Sequence, residues 1–137
     1  MKVAYLLASL LLMSTSSAIA CGHCIEDKVA AVYDHAIVAK AVHEKHVVAF
    51  FGIEGPLVVN SASKQAIQKM MSSINGVDPN TSRISLETGS ISLAFNPAIL
   101  TYPALLDSLD RKLKVKKLSA FPLEVLSQMP KSTVASH

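Results

Sequence analysis

Residues 83–95, RISLETGSISLAF, alternate apolar and polar side chains on both sides of Thr88-Gly89. Alternation with period two flanking a glycine-containing turn predicts an antiparallel hairpin. An isolated hairpin is marginal in water, so other segments must widen the sheet and cover its apolar face. The chain offers such segments on both sides. His46–Ile53 (HVVAFFGI) is β-branched and aromatic, about the length of a buried strand. Gly55-Pro56 ends it, Leu57–Asn60 forms a connector, and Ser61 or Ser63 is expected to cap a helix bearing Ala66, Ile67, Met70, Met71 and Ile74. Asn75-Gly76 closes that helix with residues that tolerate positive φ, and Val77–Asn80 makes a turn into the hairpin. After Asn96-Pro97, Thr101 is expected to cap a further helix with Pro103 in its first turn and Leu105, Leu106, Leu109 and Leu113 buried. Val115–Ser119 reads as a last short strand, and the tail after Phe121-Pro122 as loose, with a short helix near Leu123–Met129.

The order is β-α-β-β-α-β. The expected class is α+β: a ferredoxin-like, four-stranded antiparallel sheet with two helices on one face. A long helix over Ile25–Lys45 precedes it. Ile25, Val29, Val32 and Ala36 form its apolar line, Asp27, Lys28, Asp34 and His35 its polar side, and Glu26 and Asp27 suit its N-terminal dipole. Its wide apolar face must pack on the open face of the sheet or on a second chain, which makes a homodimer through this helix one expectation.

The first twenty residues read as an export signal. Lys2 supplies the charge, Ala4–Met13 the apolar run, and Ala18-Ile19-Ala20 a small-x-small cleavage site. A retained anchor and lipidation at Cys21 are the alternatives, although lipoprotein signals usually carry Leu where Ala18 stands. Export predicts a periplasmic or secreted protein, and lipidation would add a membrane attachment. The four parts are then a signal over 1–20, a cysteine motif and helix over 21–45, the ferredoxin-like domain over 46–120 and a tail over 121–137. Of 137 residues, 117 remain after cleavage, enough for one ordinary domain, and the net charge of +3 falls to +2 with the loss of Lys2. That charge points to no particular partner. Trp is absent and aromatics make up 5% of the chain, which leaves no stacking platform for nucleic acid. The basic residues Arg111, Lys112, Lys114, Lys116 and Lys117 read as protection of a sheet edge. No nucleotide loop, zinc-protease motif or acid–base pair is present, so the chain is not expected to be an enzyme.

Residues 46–119 resemble a heavy-metal-associated domain, the copper-chaperone-like module of transporting ATPases and their carriers. The elements that carry the resemblance are VVAFFGIEG, SSINGV, RISLETGSISLAFNP, ALLDSLDRKL and VKKL. It implies a ferredoxin-like fold, a bound transition metal, and a metal donor or acceptor protein as partner. It also implies a Cys-x-x-Cys loop between the first strand and the next helix. Counting back from Gly76-Val77, the two ligand positions of that loop hold Val58 and Ser61, and neither is a soft ligand.

The chain's two cysteines stand instead in Cys21-Gly22-His23-Cys24. A disulfide here would close a very small loop and stabilise little, so chemistry is the better reason for the pair. Two thiols at a helix start can converge on one soft ion, since a helix N-terminus favours the thiolate that binds. Cleavage after Ala20 adds a free α-amine at Cys21. The amine, two backbone amides and the His23 imidazole can then wrap Cu(II) or Ni(II) in a square plane, while Cys21, His23 and Cys24 suit Cu(I). The expected function is an exported transition-metal carrier, copper first. Alternatives are a protein-interaction module that has lost its metal loop and a thiol-disulfide oxidoreductase. The tetrapeptide matches that of protein disulfide isomerases, but here no strand precedes it. His43 and His46 are a weaker candidate pair at the helix–strand junction. Met70-Met71 reads as core filling.

Overall fold

His43 ends a helical stretch and, after a three-residue turn, Val47 begins the strand that organises the molecule. In this computed structural model, which describes residues 24–130, the elements run α1 (Ile25–Val32), α2 (His35–His43), β1 (Val47–Glu54), α3 (Ser61–Ser72), β2 (Arg83–Ser85), β3 (Ser90–Phe95), α4 (Tyr102–Lys114) and β4 (Ser119–Leu126). One four-stranded sheet has the order β2-β3-β1-β4, every pair antiparallel, with Phe50 opposite both Ser92 and Glu124. This is the ferredoxin-like topology expected from the pattern.

The two faces of the sheet divide by residue parity. Ala49, Phe51, Ile53, Ile91, Leu93 and Phe95 turn to one side and form the larger core with Ile67 and Met71 of α3 and Leu105, Leu109 and Leu113 of α4. Met71 is fully buried and Met70 packs beside it, so both methionines fill core space. Val48, Phe50 and Ala94 turn to the other side and pack with Val32, Val38 and Ala41. The N-terminal helices therefore cover the second face of the sheet.

The expected long helix is two helices. The chain opens at Tyr33 (φ −72°, ψ 127°) and Asp34 (φ −128°, ψ 109°). Asp34 caps α2, its Oδ1 accepting from the Ala36 and Ile37 amides at 3.0 and 3.2 Å. Arg83 of β2 binds the other oxygen through Nε at 3.1 Å and through its terminal nitrogen at 3.0 Å. The break lets each short helix follow the twisted sheet, which one straight rod would leave within a few turns. Sequence periodicity missed it because Asp34 falls on the polar side of either arrangement. Lys28, expected on that polar side, is instead buried, while Ile25 of the expected apolar line is 57% exposed. Helix α1 is rolled so that the Lys28 stem lies on the protein and its ammonium donates to the Thr88 carbonyl, which satisfies the buried charge.

The Ile37 amide is the largest influence holding the Asp34 carboxyl below its ordinary value of 3.8; burial opposes it in second place, and the Arg83 guanidinium and then the Ala36 amide add to the lowering. A carboxylate whose folded-state pKa is depressed stabilises the fold above its unfolded value. That contribution disappears as pH falls through the folded value. Asp34→Asn keeps a competent cap and loses the charge. The denaturation midpoint of Asp34→Asn is expected to fall less than that of the parent between about pH 5 and pH 2. Equal acid dependence of the two proteins would show that Asp34 carries none of it.

Other helix ends also differ from expectation. Asn60, rather than Ser61 or Ser63, caps α3, accepting from the Ser63 amide at 2.8 Å. Thr101 caps α4 as expected. The segment Val115–Leu118, expected to begin the last strand, is a helix-ending turn. Lys117 takes a left-handed conformation (φ 60°), and the Leu118 amide reaches back to the Leu113 carbonyl at 3.1 Å, the pattern that seals a helix C-terminus. The last strand starts at Ser119 and runs to Leu126, where a short helix was expected. It pairs along β1 with a bulge opposite Phe50/Phe51, beside Pro122, which has no amide hydrogen for the ladder. The basic cluster consequently belongs to the C-terminal turns of α4, where Arg111 pairs with Asp107 (2.9 Å) and Lys114 with Asp110 (3.4 Å), and cations suit the helix dipole.

Candidate metal centre

Cys24 is the N-cap residue of α1, with extended backbone (φ −64°, ψ 144°) and an exposed side chain. Cys21 and His23 lie outside the described residues. The position of Cys24 follows from Lys28, one helical turn later on the same side of α1. The Lys28 amide donates to the Cys24 carbonyl at 3.1 Å, and the Lys28 ammonium is fastened to Thr88 in the β2–β3 turn. That turn abuts the end of β1, because the Ile53 amide donates to the Gly89 carbonyl at 2.8 Å. At the other end of α1 the Val32 carbonyl accepts from the Ser92 hydroxyl at 2.7 Å, which pins the helix along β3. The start of α1 therefore lies at the end of the sheet where β1 releases the chain into the segment 55–60. A groove between them is lined by Lys28, Glu54, Leu57, Glu87, Thr88 and Phe121.

The metal loop implied by the resemblance was expected over residues 55–61. Val58 is 61% exposed, Ser61 is exposed in the first turn of α3, and Asn60 between them is engaged as the cap of α3. A hydrocarbon and a hydroxyl at these positions offer nothing to a soft ion. The only described thiol at this end of the molecule is that of Cys24.

The remaining candidates sit at the opposite end of β1. His43 is exposed in the last turn of α2. His46 is half-buried, and its Nδ1 lies 2.7 Å from Asp78 Oδ2 and 3.8 Å from Glu44 Oε2. Glu44, His46 and Asp78 form the one group of three potential ligands found within mutual reach among the described residues. Glu44 and Asp78 were not singled out in the sequence. Asp78 follows His46 by thirty-two positions and has no local motif to mark it, so only the packing of the α3–β2 connection against the α2–β1 turn brings it there. Among the described residues no helix is long and apolar enough to cross a membrane.

No family model matches the chain, and no curated protein matches it. Among solved structures it is similar to a copper binding domain from HMA7, a P-type ATPase (14% identity, TM-score 0.48, covering 58% of this chain and 96% of that one). It is also similar to oxidized MerP from Ralstonia metallidurans CH34 (15% identity, TM-score 0.46, covering 58% of this chain and 99% of that one). In the order and pairing of its elements the chain is ferredoxin-like, with two helices before β1 and no cysteine between β1 and α3.

Proposed function

We propose that the protein is an exported transition-metal binding or carrier protein, copper first, and that Cys21, His23 and Cys24 hold the ion. The observation that carries this reading is the position of Cys24. The tether from Lys28 to Thr88 sets the start of α1 beside the segment 55–60, which has no soft ligand of its own. The one described thiol, that of Cys24, thus belongs to the same end of the sheet as the segment 55–60. Two thiolates and an imidazole suit Cu(I), and a free α-amine at Cys21 with His23 in third position suits Cu(II). A donor or acceptor protein would meet the ion at an exposed edge. The role is binding and transfer, with no catalytic step.

The test is titration of the mature protein with Cu(I) and Cu(II), repeated with Cys24→Ser and with His23→Ala, after mass spectrometry of the N-terminus. One ion per chain is expected. Cu(I) binding should weaken by at least about tenfold in Cys24→Ser, and Cu(II) binding should weaken similarly in His23→Ala. An acylated Cys21, or stoichiometric binding indifferent to both changes, would remove the proposed site. Absence of any binding would return the protein to the interaction-module reading.

A further inference from the structure

The end of the sheet away from Cys24 carries a second set of donors of different chemistry. Glu44 is the C-cap of α2, and Lys45 follows in a left-handed conformation (φ 58°). The His46 amide then closes the helix on the Ala41 carbonyl at 2.8 Å. This closure fixes Glu44 and His46 on a rigid turn rather than on a loose linker. Asp78 comes from the α3–β2 connection and is equally fixed. Its amide donates to the Ala94 carbonyl at 2.8 Å, and its carbonyl accepts from the Thr81 hydroxyl at 2.8 Å.

The arrangement leaves an electrostatic demand. Two carboxylates approach one imidazole nitrogen, at 2.7 and 3.8 Å, and one N–H can fully satisfy only one of them. The other oxygen of Glu44 pairs with the Lys40 ammonium at 3.9 Å, an exposed contact of little strength (69% exposed at Lys40). A divalent cation at the centre satisfies all three groups at once. Its donors in a tetrahedral shell lie about 3.3 Å apart, between the two distances observed, so modest side-chain rotation suffices. Glu44 is 41% exposed, which leaves an open side for water as a fourth ligand.

We infer that Glu44, His46 and Asp78 form a second metal site, selective for a borderline divalent ion such as Zn(II). Imidazole and carboxylate suit Zn(II), whereas Cu(I) selects thiolate and thioether ligands. The site lies at the opposite end of β1 from Cys24, a strand of eight residues that spans about 26 Å. The Glu44–His46–Asp78 group is therefore chemically and spatially separate from Cys24, and loading it engages none of the proposed N-terminal donors.

The experiment uses the full mature chain carrying Cys21→Ser, His23→Ala and Cys24→Ser, so that the N-terminal donors are gone whatever their own role. Metal-free protein is titrated with Zn(II) by calorimetry and by thermal denaturation. One Zn(II) per chain and a rise in Tm of several degrees are expected. Asp78→Asn and Glu44→Gln should each weaken binding by about tenfold or more. Glu44→Gln is the informative variant because its exposed side chain leaves the metal-free Tm unchanged, which separates lost ligation from lost folding. Absence of Zn(II) binding in the triply substituted chain, or binding that neither substitution weakens, would overturn the site. Copper results at the N-terminus bear on neither outcome.

Discussion

Phe50→Ala is expected to cost about 3–5 kcal/mol, the range for emptying a large aromatic site in a core. Phe50 is fully buried, but its burial comes from the side of the sheet that a ferredoxin-like domain can leave open. It packs with Val32, Val38, Ala41, Val48 and Ala94. The ring of Tyr33 stacks on it at 6.5 Å between centroids, with 9° between planes. The substitution thus measures whether α1 and α2 are docked. Were they detached, Phe50 would already be solvated and its loss would cost well under about 1 kcal/mol, as for ordinary surface changes. Urea denaturation gives the number, and Phe51→Ala, which empties the opposite face, is the internal standard. A large loss at Phe51 with a small one at Phe50 would contradict the two-faced core. Because Cys24 is the N-cap of α1, a docked Phe50 layer is also the condition for holding Cys24 at the end of the sheet where β1 releases the chain.

Gly55→Ala is expected to destabilise by roughly 2–4 kcal/mol, combining left-handed strain with overpacking. Gly55 has φ +124°, a conformation that side chains rarely adopt, and a β-carbon there would stand 2.6 Å from the Lys117 carbonyl oxygen and 2.9 Å from Leu118 Cδ2. The Lys117 carbonyl belongs to backbone that the helix-closing turn after α4 holds in place, so it cannot swing away as a side chain would. Relief must come from displacing the segment that follows Gly55. The expected result is a lower denaturation midpoint together with a faster proteolytic cut between residues 55 and 60. A variant as stable as the parent would mean that the close approach of the two turns is dispensable. The pairing of these turns holds the segment at the end of β1 against the turn that closes α4.

Most of the sheet and its two long helices were legible in the sequence because their signals are local. Alternation in RISLE and SISLAF, the glycine turn between them and the leucine spacing of α4 depend on nearest neighbours along the chain. The break at Asp34, the burial of Lys28 and the end of β4 were not, because each is set by a distant partner: Arg83, Thr88 and β1. The Glu44–His46–Asp78 cluster belongs with them, since no spacing rule joins positions from separate segments.

The strand SISLAF shows where the division falls. Its sequence by itself determined that Ile91, Leu93 and Phe95 share one face and Ser90, Ser92 and Ala94 the other, since a strand has period two. By pattern alone the second face is half-polar and fit for solvent. The tertiary structure decided that it is buried. Small side chains let α1 approach closely, and the Ser92 hydroxyl satisfies the carbonyl of Val32. Local chemistry fixed which atoms each face offers. Packing, which sums contacts between residues far apart in the chain, decided which face is covered and at which end of the sheet Cys24 stands.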